Sequence, residues 1–140
     1  MFDILNVSSI YHTPCTAVRQ VSLPGPAGTR GGGNVKRILI TGALGQLGSE
    51  ITAALRKRYG PDHVIAGDIR HDENGTLSSE GPFYTFDCRD GKKTVRIVSE
   101  HNIDTIYHLA ALLSASAEAQ PLNAWDLNMD GLVTILEIAR

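Results

Sequence analysis

The chain has 140 residues, 42% hydrophobic and 20% charged, with a formal net charge of −2, the balance of an ordinary soluble globular domain. That charge gives no reason to expect nucleic acid or an anionic membrane surface as a partner, and no apolar run approaches the ~20 residues that span a bilayer. Cys15 and Cys88 are too few and too far apart for a disulfide framework, so a reducing compartment is expected.

Residues 1–35 read differently from the rest. Pro14, Pro24, Pro26, Gly25, Gly28 and Gly31 to Gly33 interrupt the stretch, and no helical or strand period persists in it. Asp3 is its one acidic residue, beside Arg19 and Arg30. An acid-poor, hydroxyl-containing leader of this kind reads as an organelle transit peptide or as a disordered extension. The folded domain is expected over 36–140.

From Lys36 the pattern alternates. A strand is expected over 36–41, where Ile38, Leu39 and Ile40 form a run suited to burial on both faces. A helix follows over 45–59, with Leu47, Ile51, Ala54 and Leu55 on one face, stopped by Gly60-Pro61. A second strand covers 63–67, a polar surface loop 69–82 and a third strand 83–86. A helix over 90–100 should bury Val95 and Val98, and a fourth strand over 104–109 should bury Ile106 and Leu109. After a small-residue stretch, Pro121 suits a first helical turn. The last helix carries Trp125, Met129, Leu132, Val133 and Leu136 at core-like spacing. The order predicts an α/β fold: a doubly wound parallel sheet of about four strands and three helices, incomplete at its carboxyl side. With no fifth strand beside the fourth, an apolar sheet edge is expected to stay unpaired and to make the chain sticky.

Chemistry concentrates at the carboxyl ends of these strands, where such folds hold ligands. Gly42, Gly45 and Gly48 form Gly-x-x-Gly-x-x-Gly between the first strand and its helix. A tight turn, close approach to a pyrophosphate and packing of the helix on its strand each favour a residue without a β-carbon. Amides around Gly45, Gln46 and Leu47 would then meet phosphate at a helix start. Asp68 closes the second strand and would accept from ribose hydroxyls while repelling a 2′-phosphate. Arg70 argues the other way, as a phosphate partner, but the acid outweighs it, so NAD is expected over NADP. Asp87 has two readings, an acceptor for an adenine amino group and a cap for the helix near Asp90. Asn128 likewise reads as a site residue or a solvent-facing helix position. The five histidines show no zinc spacing, so no metal is expected; His108 reads as a hydrogen-bonded core residue, and Trp125 and Met129 as core. No Gly-x-x-x-x-Gly-Lys-Ser/Thr loop and no Gly-x-Ser-x-Gly elbow occurs.

These strings resemble the extended, epimerase-like branch of the short-chain dehydrogenase/reductase superfamily, whose domain is Rossmann-type. Thr41-Gly42-x-x-Gly45-x-x-Gly48 carries the resemblance first. Asp68-Ile69-Arg70 follows as the ribose end, and Phe86-Asp87-Cys88-Arg89-Asp90 as the adenine-side element. His108-Leu109-Ala110-Ala111 is like the cofactor-lining strand end, and Asn128-Met129-Asp130-Gly131 like the next helix. Gly42 to Gly48, Gly81-Pro82-Phe83 and Leu112-Leu113-Ser114-Ala115 are similar to the L-threonine 3-dehydrogenase family within that branch.

The resemblance implies an NAD cofactor, a threonine substrate oxidised at its 3-hydroxyl to 2-amino-3-ketobutyrate, Ser114 near that substrate, and a homodimer when full-length. It also implies a mitochondrial location in eukaryotes, with the cytoplasm as the alternative. The superfamily's acid/base is a Tyr with a Lys four residues later. Here Tyr11, Tyr59, Tyr84 and Tyr107 are followed at that distance by Cys15, His63, Cys88 and Ala111. No catalytic residue is therefore expected in this chain. The last helix reaches Arg140 without a Gly or Pro stop, so the chain reads as the amino-terminal half of an enzyme. Alternatives are part of a nucleotide-sugar epimerase or dehydratase, and a non-catalytic NAD-binding product.

Overall fold

The structure, a computed structural model, describes residues 3–6, 36–112 and 114–140, with no side chains described for 3–6 and 114–116. Cys15, Arg19 and all of the leader apart from 3–6 lie outside the described residues. Five strands form one sheet: β1 (Asp3–Asn6), β2 (Ile38–Thr41), β3 (Val64–Asp68), β4 (Phe83–Thr85) and β5 (Thr105–His108). The helices are α1 (Gln46–Tyr59), α2 (Gly91–Glu100), α3 (Ser114–Ala119) and α4 (Pro121–Ala139). Every pairing is parallel, in the order β1-β5-β2-β3-β4. No helix among the described residues is long and apolar enough to cross a membrane.

The central strands are buried on both faces, which is why their sequences are continuous apolar runs rather than alternating ones. Leu39, Ile65 and Ile106 fill one side with Ile97 and Ile135. Ile38, Ile40, Val64 and Ala66 fill the other with Leu77 and, partly buried, Ile51 and Leu55.

The parallel α/β sheet is as expected, its four predicted strands appearing as β2 to β5. Beside them stand a fifth strand from the leader and a fourth α-helix, in the small-residue stretch after β5. The leader is not structureless throughout: Asp3 pairs with Thr105 and Asn6 with His108, so β1 covers the β5 edge that was expected to be bare. A four-residue strand carries no readable period, and its pairing is set by the open edge it meets.

The helices keep only part of the faces expected: Ile51 and Leu55 of α1 and Val98 of α2 pack against the core. In α1 the buried residues are Gly48, Thr52 and Arg56, while Leu47 is 45% exposed. In α2 they are Thr94 and Ile97; Val95 faces out. In α4 they are Ala124, Gly131 and Ile135, and Trp125 is 66% exposed, with Met129, Val133 and Leu136 also outside. Close approach of helix to sheet selects small residues at the contact, so the bulky stripe is turned away from this sheet. Neither Trp125 nor Met129 is core.

The 69–82 connection is tied down more firmly than a polar surface loop. Asp72 accepts from the amides of Thr76, Leu77 and Ser78, and these bonds hold its carboxyl below the usual range. Arg56, lowered from its ordinary value by burial, donates to the Leu77 carbonyl at 2.6 Å and the Pro82 carbonyl at 2.8 Å.

His108 is the hydrogen-bonded core histidine that its strand position suggested, 3% exposed with Nδ1 2.7 Å from Thr41 Oγ1. Burial pushes its imidazole down to about 4. An unfolded histidine titrates near ~6.5, so below that value the unfolded chain binds a proton that the fold does not. Stability should fall as pH drops from ~6.5 towards 4, by up to roughly 1.4 kcal/mol per unit. Urea melts across that window will show the slope, and His108→Gln should flatten it; an equal slope in the variant would refute the assignment. A second expectation concerns the edge. Deleting residues 1–35 should bare β5 and drive concentration-dependent self-association, and a truncated chain that sediments as a monomer would show that β1 is dispensable.

Candidate functional site

The parallel order places β2 between β3 and β5, and the chain leaves β2 and β5 in different directions. A crevice opens at the carboxyl ends of the strands at such a point. Gly42 turns there with φ of 75°. A β-carbon on it would lie 2.7 Å from the Ala110 amide nitrogen, so only glycine lets the β2 turn pass so close to the end of β5. At Gly48 a β-carbon would collide with the Gly42 carbonyl, which fixes how closely α1 starts against that turn. Two of the three glycines are thus explained by packing within the turn.

The turn's amides divide into used and open ones. Ala43 donates to the Gly67 carbonyl and Gly45 to the Gly42 carbonyl. Leu44 donates to Asp68 Oδ2 at 2.9 Å. The amides of Gln46, Leu47 and Gly48 meet no acceptor among the described residues, and the Gly45 cap offers no side chain. The open donors therefore begin one residue later than expected, since Gly45 spends its own on the turn. An uncapped helix start with open amides is a site for an anion.

A cleft of about 500 Å³ runs from this helix start across the strand ends. Gly42, Gly45, Gln46, Asp68, Ile69, Arg70, Asp87, Cys88, Leu109, Ala110 and Ala111, all singled out from the sequence, line it. Leu44, Phe86, Leu112 and Leu127 complete its apolar walls; the first three lie inside the strings quoted from the sequence, whereas Leu127, a single apolar residue of α4, carries no spacing signal. Leu47 and Gly48 stand outside the lining and contribute only at the helix start.

Three further sequence-named residues need separate description. Asn128 neither faces solvent freely nor lines the cleft. Its Oδ1 accepts the Leu112 amide at 2.9 Å and its Nδ2 donates to the Leu112 carbonyl, so it positions a wall residue. Asp87 does not cap α2; Asp90 does, accepting the Lys93 amide. Asp87 instead pairs with Arg89 at 2.6 Å, which holds its carboxyl below the usual range. Ser114 opens α3, and its side chain lies outside the described residues.

Cys88 is buried under this rim, its thiol pushed up by burial. Gly131 of α4 packs on it, close enough that a β-carbon would reach 2.9 Å from Sγ. Among the described residues no group of three His, Cys, Asp or Glu could hold a metal ion. The cleft combines open amides at the helix start, a buried carboxylate at the next strand end and apolar walls beside them. A dinucleotide fits those features, with phosphate at the helix start and a ribose diol at Asp68.

Known proteins agree with that geometry. Residues 38–140 match the NAD dependent epimerase/dehydratase family. A protein of Staphylococcus saprophyticus described as an uncharacterized epimerase/dehydratase is 50% identical over 106 residues, 76% of this chain and 33% of that protein. The L-threonine dehydrogenase of Clostridium difficile superimposes with a TM-score of 0.72 at 50% identity, covering 75% of this chain and 33% of that one. The UDP-glucose 4-epimerase of Stenotrophomonas maltophila, solved with bound NAD, gives 0.64 at 28% identity over 74% of this chain and 33% of that one. This chain thus spans a third of the length of these relatives. With the glycine turn, the strand-end acid and a match over 38–140, the chain belongs to the NAD dependent epimerase/dehydratase family.

Proposed function

We propose that this chain is the NAD-holding part of an L-threonine 3-dehydrogenase-like oxidoreductase. One observation carries the nucleotide reading: Gln46, the first of the open amides at the start of α1, and the buried Asp68 carboxylate line one cleft. In this reading the amides hold the pyrophosphate and Asp68 takes the adenosine ribose. Asp87 lies toward the adenine, and Leu109 to Ala111 with Leu112 wall the nicotinamide side. Bound there, NAD would supply a hydride acceptor; the residues of this chain bind and orient it and keep water from the apolar wall.

The threonine assignment is supported by the 50% identity to the Clostridium difficile threonine dehydrogenase, against 28% to the sugar epimerase. A full-length protein of this kind would convert threonine and NAD to 2-amino-3-ketobutyrate and NADH, with Ser114 near the substrate. The runner-up is a nucleotide-sugar epimerase or dehydratase, favoured by the naming of the Staphylococcus relative. This chain by itself should bind NADH without oxidising threonine, since no Tyr in it has a Lys four residues on. Calorimetry with NADH and a threonine-dependent NADH assay on the 140-residue chain, repeated on a chain extended to the relatives' length, tests both parts. Absence of binding heat on folded protein sinks the nucleotide reading. UDP-glucose turnover without threonine turnover by the extended chain sinks the substrate assignment.

Two further properties belong to the proposal. A mitochondrial destination rests on the acid-poor leader and the family resemblance; a reporter carrying residues 1–35 that stays in the cytoplasm would refute it. A homodimer of the full-length protein would use the exposed stripe Leu122, Trp125, Met129, Val133 and Leu136 on α4. Trp125→Glu should then shift the extended protein to monomer on size exclusion with its NADH binding retained; an unchanged elution volume would refute that surface.

A further inference from the structure

Arg56 lies in the last turn of α1, away from the cleft lining, and is 5% exposed. Its donors go to main-chain carbonyls: Nη1 to Leu77 at 2.6 Å, Nη2 to Pro82 at 2.8 Å and Nε to Val64 at 3.4 Å. One side chain thus joins α1 to the start of β3, to the 69–82 connection and to the residue before β4. Gly81 lies close against the guanidinium, and a β-carbon on it would stand 3.0 Å from Nε and 3.1 Å from Cζ. Hydrogen bonds from a charged donor are the stronger kind, and in a buried place water competes little for them.

The connection that Arg56 holds begins in the cleft. Ile69, directly after Asp68, lines that cleft and is 56% exposed, so it forms an apolar lip. Farther on the segment is anchored: Leu77 is buried among Ile38, Ile40 and Val64, and His71 Nδ1 lies 3.2 Å from Thr85 Oγ1. Helix α1 therefore serves the cleft twice. Its first amides are open at Gln46, and Arg56 stands ten residues further along the same helix, about 15 Å away along the axis.

We propose that Arg56 is a positioning residue for the adenosine half of the ligand: it touches no ligand, but clasps the 69–82 connection so that Ile69 is in place before a nucleotide arrives. The inference rests on the nucleotide reading of the cleft. A wall that must be ordered at the moment of binding lowers affinity by the fraction of molecules in which it already stands. That loss falls on the part of the ligand that meets the wall. The phosphate end, held by the amides of α1 itself, is spared.

Calorimetry on the whole chain with NADH, AMP and inorganic pyrophosphate separates the two ends. Arg56→Lys keeps the charge but offers a point donor that cannot span the Leu77 and Pro82 carbonyls. Affinity for NADH and AMP should fall about tenfold, with pyrophosphate affinity and the cooperative melt retained. Hydrogen exchange should quicken at the Thr76, Leu77 and Ser78 amides and stay unchanged in β2. If Arg56→Lys does not fold, Gly81→Ala decides: its β-carbon presses on the guanidinium and should give the same split at smaller size. AMP affinity unchanged in a folded variant, or pyrophosphate lost in equal measure, overturns the role of Arg56. Parent protein that binds none of the three removes the nucleotide reading itself, and this inference with it.

Discussion

One carboxylate joins the two halves of the ligand rim. Asp68 ends β3, yet one of its oxygens accepts the Leu44 amide from the turn that follows β2. That bond fixes the glycine turn relative to the neighbouring strand, and therefore fixes where the open amides of α1 point. The carboxylate is almost wholly buried, and its donors offset the loss of water. Placement of the open amides and character of the cleft beside them thus depend on the same two oxygen atoms. The acid is part of the scaffold as much as of the binding surface, which is why a conservative amide, rather than an alanine, is the informative replacement.

Most of the frame was legible in the sequence because it follows from local rules. Ile38 to Ile40 and Val64 to Ala66 are unbroken apolar runs and became fully buried strands. Gly42 and Gly48 announced a turn that admits no β-carbon, and both are in such contacts. The cleft lining was legible for the same reason, since strand ends in a parallel sheet collect on one rim. Three kinds of fact were not. Which amide of the turn stays open depends on the Gly45 to Gly42 bond. The partner of Asp87 depends on the rotamer of Arg89. The Leu112 clamp by Asn128 joins residues sixteen apart across two elements. None leaves a trace in spacing.

Helix faces were misread for a more general reason. Periodicity says that a helix has an apolar side, not that this side meets the nearest sheet. In α4 two sides compete: bulky Trp125, Met129, Val133 and Leu136 on one, Ala124, Gly131 and Ile135 on the other. Gly131 lies against Cys88 and His108, an approach that no large side chain allows. With that small face on the sheet, α4 is also near enough for Asn128 to reach Leu112. The wide apolar face is left for whatever else the helix meets.

The place of β1 has a consequence for the order of assembly. The β2-α1-β3 unit pairs neighbours that are close in sequence, but Asp3 meets Thr105 across about a hundred residues. During synthesis the tetrapeptide precedes its partner strand by about a hundred residues, so it waits without a ladder while the strands between them form. Closing so long a loop gives little return for four residues, which makes this the last pairing to form and the first to open. A nascent neighbour at high local density could lend its own tetrapeptide instead, so crowded polysomes favour exchanged strands, whereas slow, dilute expression favours each chain closing on itself.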